Sequence, residues 1–306
     1  MSRIFTGLFL LFVSFYSFAQ DPQTTEELNL RGSQLHKNGD FRSAIAVYSQ
    51  VIELTSSLRS NSDPNKRLRL SASYAPETAR VLDPRTAAAY VNRGNAYFFL
   101  GDLTNALEDY DRALRISPGL AEAYVCRGTV HLIKKELDKA MSEYERAIRL
   151  EPKYSKGYIG RAMVKLEKGY RAAAFLDLDL AIKASPKDPE PYFRRANFRR
   201  VTGDPAGALA DYERSLSLDP ACAEAFLGRA WIRFAELKYD VAYDDLTRAI
   251  ASDPRLPEPY MVRGFVLMFQ RKDLASEADF ASAIERMPRI KDDVETGIKM
   301  IKAMRK

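Results

Sequence analysis

The chain has 306 residues and a formal net charge of +6, and 46% of its residues are hydrophobic, which is enough apolar mass for a packed, soluble protein. The basic excess lies in residues 59–86 and in the segment after residue 290, so the continuous basic stripe that nucleic acid binding needs is missing. Because the chain holds two cysteines, Cys126 and Cys222, a scaffold held together by several disulfides is also excluded.

The first nineteen residues are predicted to be a secretory signal peptide. Arg3 supplies a positive charge, an apolar run extends from Ile4 to Phe18, and small side chains at positions 17 and 19 precede a cleavage site between Ala19 and Gln20. The alternative is a membrane anchor, but the run of about 15 residues is shorter than the roughly 20 that a spanning helix needs. We therefore expect an exported protein, periplasmic or secreted after cleavage, that is not an integral membrane protein.

Proline recurs at intervals of 34 residues along most of the chain. The positions are Pro84, Pro118, Pro152, Pro186, Pro220, Pro254 and Pro288. A fixed period of this length is typical of a solenoid, in which each repeat contacts mainly its neighbours. The period thus predicts a protein whose function lies on an extended surface.

Residues 87–120 show what one period encodes. Tyr90, Gly94 and Tyr97 recur at i, i+4 and i+7, which places them on one face of a helix. A Gly-Asp pair at 101–102 predicts a turn, a second helical face follows at positions 106, 110 and 113, and Pro118 ends the second helix. One period therefore predicts a helical hairpin.

The same columns return in each period. The aromatic column is Tyr90, Tyr124, Tyr158, Tyr192, Phe226 and Tyr260, and the small column is Gly94, Gly128, Ala162, Ala196, Ala230 and Gly264. With the final proline, these columns resemble the tetratricopeptide repeat family. The resemblance covers seven units, at 25–58, 87–120, 121–154, 155–188, 189–222, 223–256 and 257–290. It implies an all-α, right-handed superhelical solenoid of antiparallel helix pairs, with residues 291–306 as a capping helix.

Residues 59–86 fall outside this period, between the first and second units. Asp63-Pro64 and Ala75-Pro76 interrupt regular structure, and a short helix at 78–83 would run into Pro84. A surface loop is the simpler interpretation of such an insertion, and a lid or a docking arm is the alternative.

One column that usually holds leucine in the family holds arginine in this chain, and an acid follows sixteen residues later in six units. The resulting pairs are Arg93–Asp109, Arg127–Glu143, Arg161–Asp177, Arg195–Asp211, Arg229–Asp245 and Arg263–Asp279. Both columns lie about half-way along their helices, so we expect each pair to meet across its hairpin as a structural ion pair. The alternative is a ladder of arginines presented to an acidic ligand.

The opposite face of each first helix lines the concave groove in this family. Its residues here are Val91, Asn95 and Phe98; Val125, Thr129 and Leu132; Ile159, Met163 and Leu166; Phe193, Asn197 and Arg200; Leu227, Trp231 and Phe234; and Met261, Phe265 and Met268. A second apolar stripe is either packed against the next repeat or available to a partner. If it is available, it suits an amphipathic helix or an extended apolar peptide.

The sequence shows no chemistry of the kind that enzymes need. His36 and His131 lie in separate repeats, no His/Cys cluster has metal-ligand spacing, and no nucleophile is paired with a base. We expect no catalysis, metal or cofactor, and interpret the chain as an exported scaffold that binds a protein or peptide partner in the cell envelope. The alternatives are a self-assembling homo-oligomer and a protein that binds lipid or polysaccharide.

Overall fold

The computed structural model describes residues 22–57 and 84–305, and these residues form fifteen α-helices, one 3-10 helix (Pro288–Ile290) and no strand. The expected all-α fold class is confirmed. The predicted signal peptide, residues 1–19, and residues 59–83 of the predicted insertion lie outside the described residues.

The helices fall into two compact units, the first ending at Lys168 and the second beginning at Gly169. The first unit holds α1 (Pro22–Lys37), α2 (Phe41–Ser57), α3 (Pro84–Phe99), α4 (Leu103–Ile116), α5 (Ala121–Ile133), α6 (Leu137–Leu150) and α7 (Ser155–Glu167). The second holds α8 (Arg171–Ala184), α9 (Glu190–Thr202), α10 (Pro205–Leu218), α11 (Ala223–Ala235), α12 (Tyr239–Ser252), α13 (Pro257–Phe269), α14 (Asp273–Arg286) and α15 (Lys291–Met304). Within each unit, helices pair as hairpins and each hairpin stacks on the next.

Two helices begin earlier than the repeat boundaries drawn from the sequence. The first helix, α1, begins at Pro22 rather than at residue 25, and α3 begins at Pro84, inside the predicted insertion 59–86. Proline suits a first helical turn because its φ is already helical and its missing N–H would have no intrahelical acceptor. Pro84 therefore starts a helix, whereas Pro118 follows the end of α4 at Ile116.

Aspartate caps the second helix of several hairpins. The side chain of Asp102 accepts a hydrogen bond from Asn105 N at 3.1 Å, and Asp204 accepts one from Gly207 N at 2.9 Å. Each cap satisfies a backbone N–H that has no intrahelical partner. The Gly-Asp pairs of the sequence thus encode both the turn and the start of the next helix.

Each described hairpin turns over a residue with positive φ. Gly39, Gly101, Gly169 and Gly203 hold φ values between +80° and +87°, and Lys135, Leu237 and Arg271 take the equivalent position with φ between +59° and +62°. A side chain in the left-handed region costs about 1–2 kcal/mol, which glycine avoids. Three hairpins therefore carry strain that their sister hairpins do not.

A bulky side chain from the second helix fills the centre of each hairpin. The rings of Tyr110, Tyr144 and Tyr212 are fully buried. A Cβ added to Gly94 would lie 2.7 Å from Tyr110 Cε1, and one added to Gly160 would lie 2.1 Å from Tyr144 Cε1. The tyrosine of α6 is thus held against glycines on both α5 and α7, and it joins one hairpin to the next.

The capping helix α15 closes the second unit, as the sequence predicts. Val294 and Ile301 are buried with Met268 and Phe280, and Ile298 packs against the same cluster. Arg305 Nη1 lies 2.8 Å from Asp273 Oδ1 and so ties the end of α15 to the start of α14.

Both cysteines are free thiols. Burial raises the pKa of Cys126 to about 12, which keeps this thiol protonated at neutral pH. Cys222 is buried and its pKa is also raised by burial. Neither side chain therefore has the character of a reactive thiolate.

The glycine contacts predict the effect of one added methyl group. Gly160→Ala should destabilise the first unit by about 1–3 kcal/mol through overpacking against Tyr144, which outweighs a gain in helix propensity of up to about 1 kcal/mol. Gly119→Ala, in the turn between α4 and α5, is the control for the added methyl group alone, because a Cβ there meets nothing within 4 Å. Thermal unfolding followed by circular dichroism measures both, and equal melting temperatures for the two variants would contradict the packing argument.

Candidate functional site

In the first unit, the arginine column joins three helices rather than two. Arg93 on α3 donates from Nε and Nη2 to the two carboxylate oxygens of Asp109 on α4, at 2.7 and 2.8 Å. Its Nη1 donates to Ser49 Oγ on α2 at 2.9 Å. Arg127 repeats the arrangement, with Nη2 at 2.8–2.9 Å from the oxygens of Glu143 and Nη1 at 2.6 Å from Asp111 of the preceding hairpin.

The second unit contains three more arginines of this kind. Forked hydrogen bonds of 2.6–2.8 Å join Arg195 to Asp211, Arg229 to Asp245 and Arg263 to Asp279. Arg195 Nη1 also reaches Asp179 on α8 at 2.6 Å, and Arg263 Nη1 reaches Thr247 Oγ1 on α12 at 3.2 Å. The sixth predicted pair, Arg161 and Asp177, is divided between the two units.

Aromatic rings and acids together hold the guanidinium groups of Arg93, Arg127, Arg229 and Arg263. The arginine carbon lies 5.4 Å from the ring centre of Tyr90 for Arg93, and 5.7 Å from that of Phe226 for Arg229. Hydrogen bonds to the facing aspartate raise the pKa of Arg93, Arg195, Arg229 and Arg263, so these side chains stay charged. Because the donors are occupied within the fold, this geometry favours a structural role over the presentation of arginines to an acidic ligand.

Several predicted groove residues of the first unit are buried and do not lie on an open surface. Val91, Val125 and Ile159 are buried. Phe98, Leu132, Met163 and Leu166 are half-buried. Asn95 Oδ1 accepts a hydrogen bond of 2.8 Å from Tyr110 Oη, and Thr129 Oγ1 lies 3.1 Å from Tyr144 Oη. Part of this stripe is therefore hairpin core.

In the second unit the predicted groove residues with large side chains are mostly half-buried. Phe193 and Met268 are buried, whereas six residues of the stripe are half-buried. These six are Arg200, Leu227, Trp231, Phe234, Met261 and Phe265. Asn197 Oδ1 accepts a hydrogen bond of 2.6 Å from Tyr212 Oη, as Asn95 does for Tyr110. The apolar rows on α11 and α13 thus offer a partner five half-buried apolar side chains, among them the rings of Trp231, Phe234 and Phe265.

The sequence contains a coupling that column-by-column reading missed. Where the second helix supplies a tyrosine, the groove column supplies a hydrogen-bond acceptor, and where it supplies leucine or phenylalanine, the groove column is apolar. The first kind is Asn95 with Tyr110, Thr129 with Tyr144 and Asn197 with Tyr212; the second is Met163 with Leu178, Trp231 with Leu246 and Phe265 with Phe280. Comparing positions fifteen residues apart would have shown that the polar groove residues are partners of buried hydroxyls.

Polar chemistry in the groove of the second unit centres on Arg200. Its Nε is buried and donates no hydrogen bond to any residue that the structure describes. Trp231 and Phe234 contact each other on α11, with ring centres 6.1 Å apart. The arrangement can bind apolar side chains.

The described part of the chain contains no group of three or more His, Cys, Asp or Glu side chains that could hold a metal ion. The Nδ1 atom of His131 lies 2.7 Å from Glu136 Oε2, so this imidazole contacts a single carboxylate. Among the described helices, none combines the length and hydrophobicity of a membrane span.

Comparison with known proteins agrees with this geometry. Family models described as tetratricopeptide repeat match residues 87–120, 121–154 and 193–257. A heat shock protein sti1 homolog from Schizosaccharomyces pombe is 35% identical over 91 residues, which are 26% of this chain and 15% of that protein. The chain therefore spans a small part of the length of this relative.

Solved structures share the fold over most of the chain. A tetratricopeptide repeat protein from Parabacteroides merdae is 19% identical, with a TM-score of 0.56 over 92% of this chain and 99% of that one. Tom70 from yeast is 16% identical, with a TM-score of 0.60 over 86% of this chain and 60% of that one. At these identities the likeness concerns the fold alone.

The arginine network predicts unequal losses for two aspartates of the second unit. Asp211→Ala should cost about 3 kcal/mol, because Asp211 is 6% exposed and its loss leaves Arg195 and Arg199 without their shared acid. Asp179→Ala should cost about 1 kcal/mol, because its side chain is 32% exposed. Both changes replace aspartate by alanine within a helix, so helix propensity does not separate them. Denaturant unfolding measures the two losses, and equal values would contradict the assignment.

Proposed function

We propose that this chain, which belongs to the tetratricopeptide repeat family, is a scaffold that binds a protein partner through the groove face of α9, α11 and α13. The observation that carries the proposal is the row of half-buried apolar side chains on the last two of these helices, around Trp231 and Phe265. Tryptophan and phenylalanine supply much of the binding energy in protein interfaces. Proteins of this family are typically scaffolds without catalytic activity, and we assign no reaction to this one.

An apolar peptide segment or an amphipathic helix is the ligand that this row fits. Half-buried rings present one edge to the solvent while their other side packs on the core, so they are already ordered before binding. Such order reduces the entropy that binding costs. Arg200, at the neighbouring position on α9, would orient a partner through an acidic group or a backbone carbonyl.

The groove is tested by a double substitution with a matched control. Trp231→Ala/Phe265→Ala should remove most partners from a crosslinking pull-down with purified protein and envelope extract, because both anchors lie in the row. Leu176→Ala/Leu180→Ala removes two exposed leucines of α8 that lie outside the groove columns and should leave the partner list unchanged. Circular dichroism confirms that each variant is folded. Identical partner lists for the wild type and the groove variant would reject the groove.

Self-assembly is a second candidate, favoured by the exposed Met300 and Met304 on α15. A second copy that packed on this helix would cover both side chains. Light scattering over a range of protein concentrations distinguishes the candidates, because a mass that stays monomeric throughout removes self-assembly.

We also propose that the protein acts in the cell envelope after export, on the support of the amino-terminal sequence. The arginine, the apolar run and the small residues before Gln20 are the features that a signal peptidase reads. Mass spectrometry of the protein recovered from its native cells should find Gln20 as the first residue. Ala19→Arg should leave the precursor uncleaved, and a wild-type protein that retains Met1 or starts elsewhere would reject the cleavage site.

A further inference from the structure

A pocket in the second unit lies on the edge formed by the hairpin turns, apart from the groove row. It has a volume of about 330 Å³ and is open to solvent. Its lining comes from the turn between α11 and α12, from the first turn of α12 and from the residue after α13, and we call it the tip pocket. The lining residues are Leu237, Lys238, Tyr239, Asp240, Val241 and Gln270. This size is at the small end of ligand sites, with room for one bulky side chain and the backbone that carries it.

Two aliphatic side chains at this pocket are exposed at a cost to the fold. Leu237 is 69% exposed and Val241 is 48% exposed. Leu237 also occupies the positive-φ position of its turn, with φ of +62°, where four sister hairpins have glycine. A bulky side chain held in a strained conformation and directed away from the core does not stabilise the fold, and such strain is concentrated at functional positions.

Three aromatic rings pack together beside the pocket. Tyr239 stacks on Phe269 with ring centres 5.4 Å apart, and Phe234 meets these rings at 5.8 and 5.5 Å. The first unit repeats this cluster with His36, Phe41 and Phe99, whose ring centres are 5.1–5.2 Å apart.

Leu237 and Val241, which form the lip of the tip pocket, have no aliphatic counterparts in the first unit. In the first unit the positions of Leu237 and Val241 are held by Gly39 and Ser43. The ring cluster is therefore a packing element common to both units, and the aliphatic lip is an addition specific to the tip pocket.

The polar side of the pocket carries one carboxylate, that of Asp240, with no cation paired to it among the described residues. Asp240 Oδ1 accepts a hydrogen bond of 2.8 Å from the neutral amide of Gln270, and Asp240 forms no ion pair with any described residue. The other charged lining residue, Lys238, points to a different acid: its Nζ lies 2.7 Å from Glu236 Oε2, which Arg233 Nη1 also contacts at 3.3 Å. The charge at this edge thus complements a cation on the occupant.

We infer that the tip pocket binds an extended peptide segment of a partner protein, with a bulky apolar residue between Leu237 and Val241 and a neighbouring lysine or arginine beside Asp240. The pocket has the volume of about one residue and an aliphatic lip, which favour an apolar side chain. The carboxylate of Asp240 favours a neighbouring lysine or arginine. A lipid surface fits less well, because the unpaired carboxylate of Asp240 would face its phosphate groups. This site is separate from the groove row and does not depend on the function proposed for that row.

The test uses the full chain and labelled decapeptides of glycine and serine with a central Phe-Lys, Phe-Glu or Ala-Lys pair. Fluorescence anisotropy should show saturable binding of Phe-Lys and at least about tenfold weaker binding of the other two, a difference that one lost anchor or one charge reversal produces. Leu237→Gly should weaken Phe-Lys by at least about tenfold. It should not weaken the fold, since glycine occupies this position in four sister turns. Asp240→Asn should bring Phe-Lys and Phe-Glu to similar affinity.

Two control variants make the remaining outcomes decisive. Lys135→Gly makes the same change at another positive-φ turn and should leave Phe-Lys binding intact. Trp231→Ala/Phe265→Ala should also leave it intact, which separates the tip pocket from the groove. Absence of saturable Phe-Lys binding, equal binding by Leu237→Gly and wild type, or loss in the groove variant alone would each overturn the inference. Sedimentation with phosphatidylcholine vesicles that Leu237→Gly abolishes would replace the peptide by a lipid surface.

Discussion

In several hairpins, one arginine guanidinium binds side chains of two other helices and so holds three helices together. Arg93 and Arg195 each bind the acid across their own hairpin and, through Nη1, a side chain of the hairpin before it. A solenoid has no common core, so its stability is a sum of terms within repeats and between neighbours. These arginines contribute to both terms. They hold the helices together at crossings where a small residue, such as Gly94, allows close approach.

This constraint determines which surface is left for function. The arginine side of α3, α5, α11 and α13 is filled by acids and aromatic rings, so the opposite side and the turns are left for variation. Even the opposite side is not free, because Asn95 and Asn197 are acceptors for buried tyrosine hydroxyls. Where the central tyrosine is replaced by Leu178, Leu246 or Phe280, the groove column carries a large apolar side chain, at Met163, Trp231 and Phe265. The chemistry of the groove therefore follows from the residue beneath it.

Features that repeat with a fixed separation could be predicted from the sequence, and features that depend on stacking could not. The sixteen-residue spacing placed Arg93 opposite Asp109 because both positions are set by helix geometry within one hairpin. The burial of Val91 depends on packing against the next hairpin, and the sequence of one 34-residue period does not describe that contact. Pro84 was assigned to the insertion because proline can both end and begin a helix. The tip pocket combines Leu237 with Gln270, which lie in successive hairpins, and its strain is visible only as a positive φ.

Phe234 connects the groove and the tip pocket within the second unit. Its ring meets Trp231 of the groove row at 6.1 Å and the rings of Tyr239 and Phe269 beside the tip pocket at 5.8 and 5.5 Å. A substitution of Phe234 would therefore disturb both surfaces and could not assign binding to either. The same position makes the groove row and the tip pocket neighbours within the second unit, so two motifs of one partner joined by a short linker would engage them together, with an affinity above that of either motif alone.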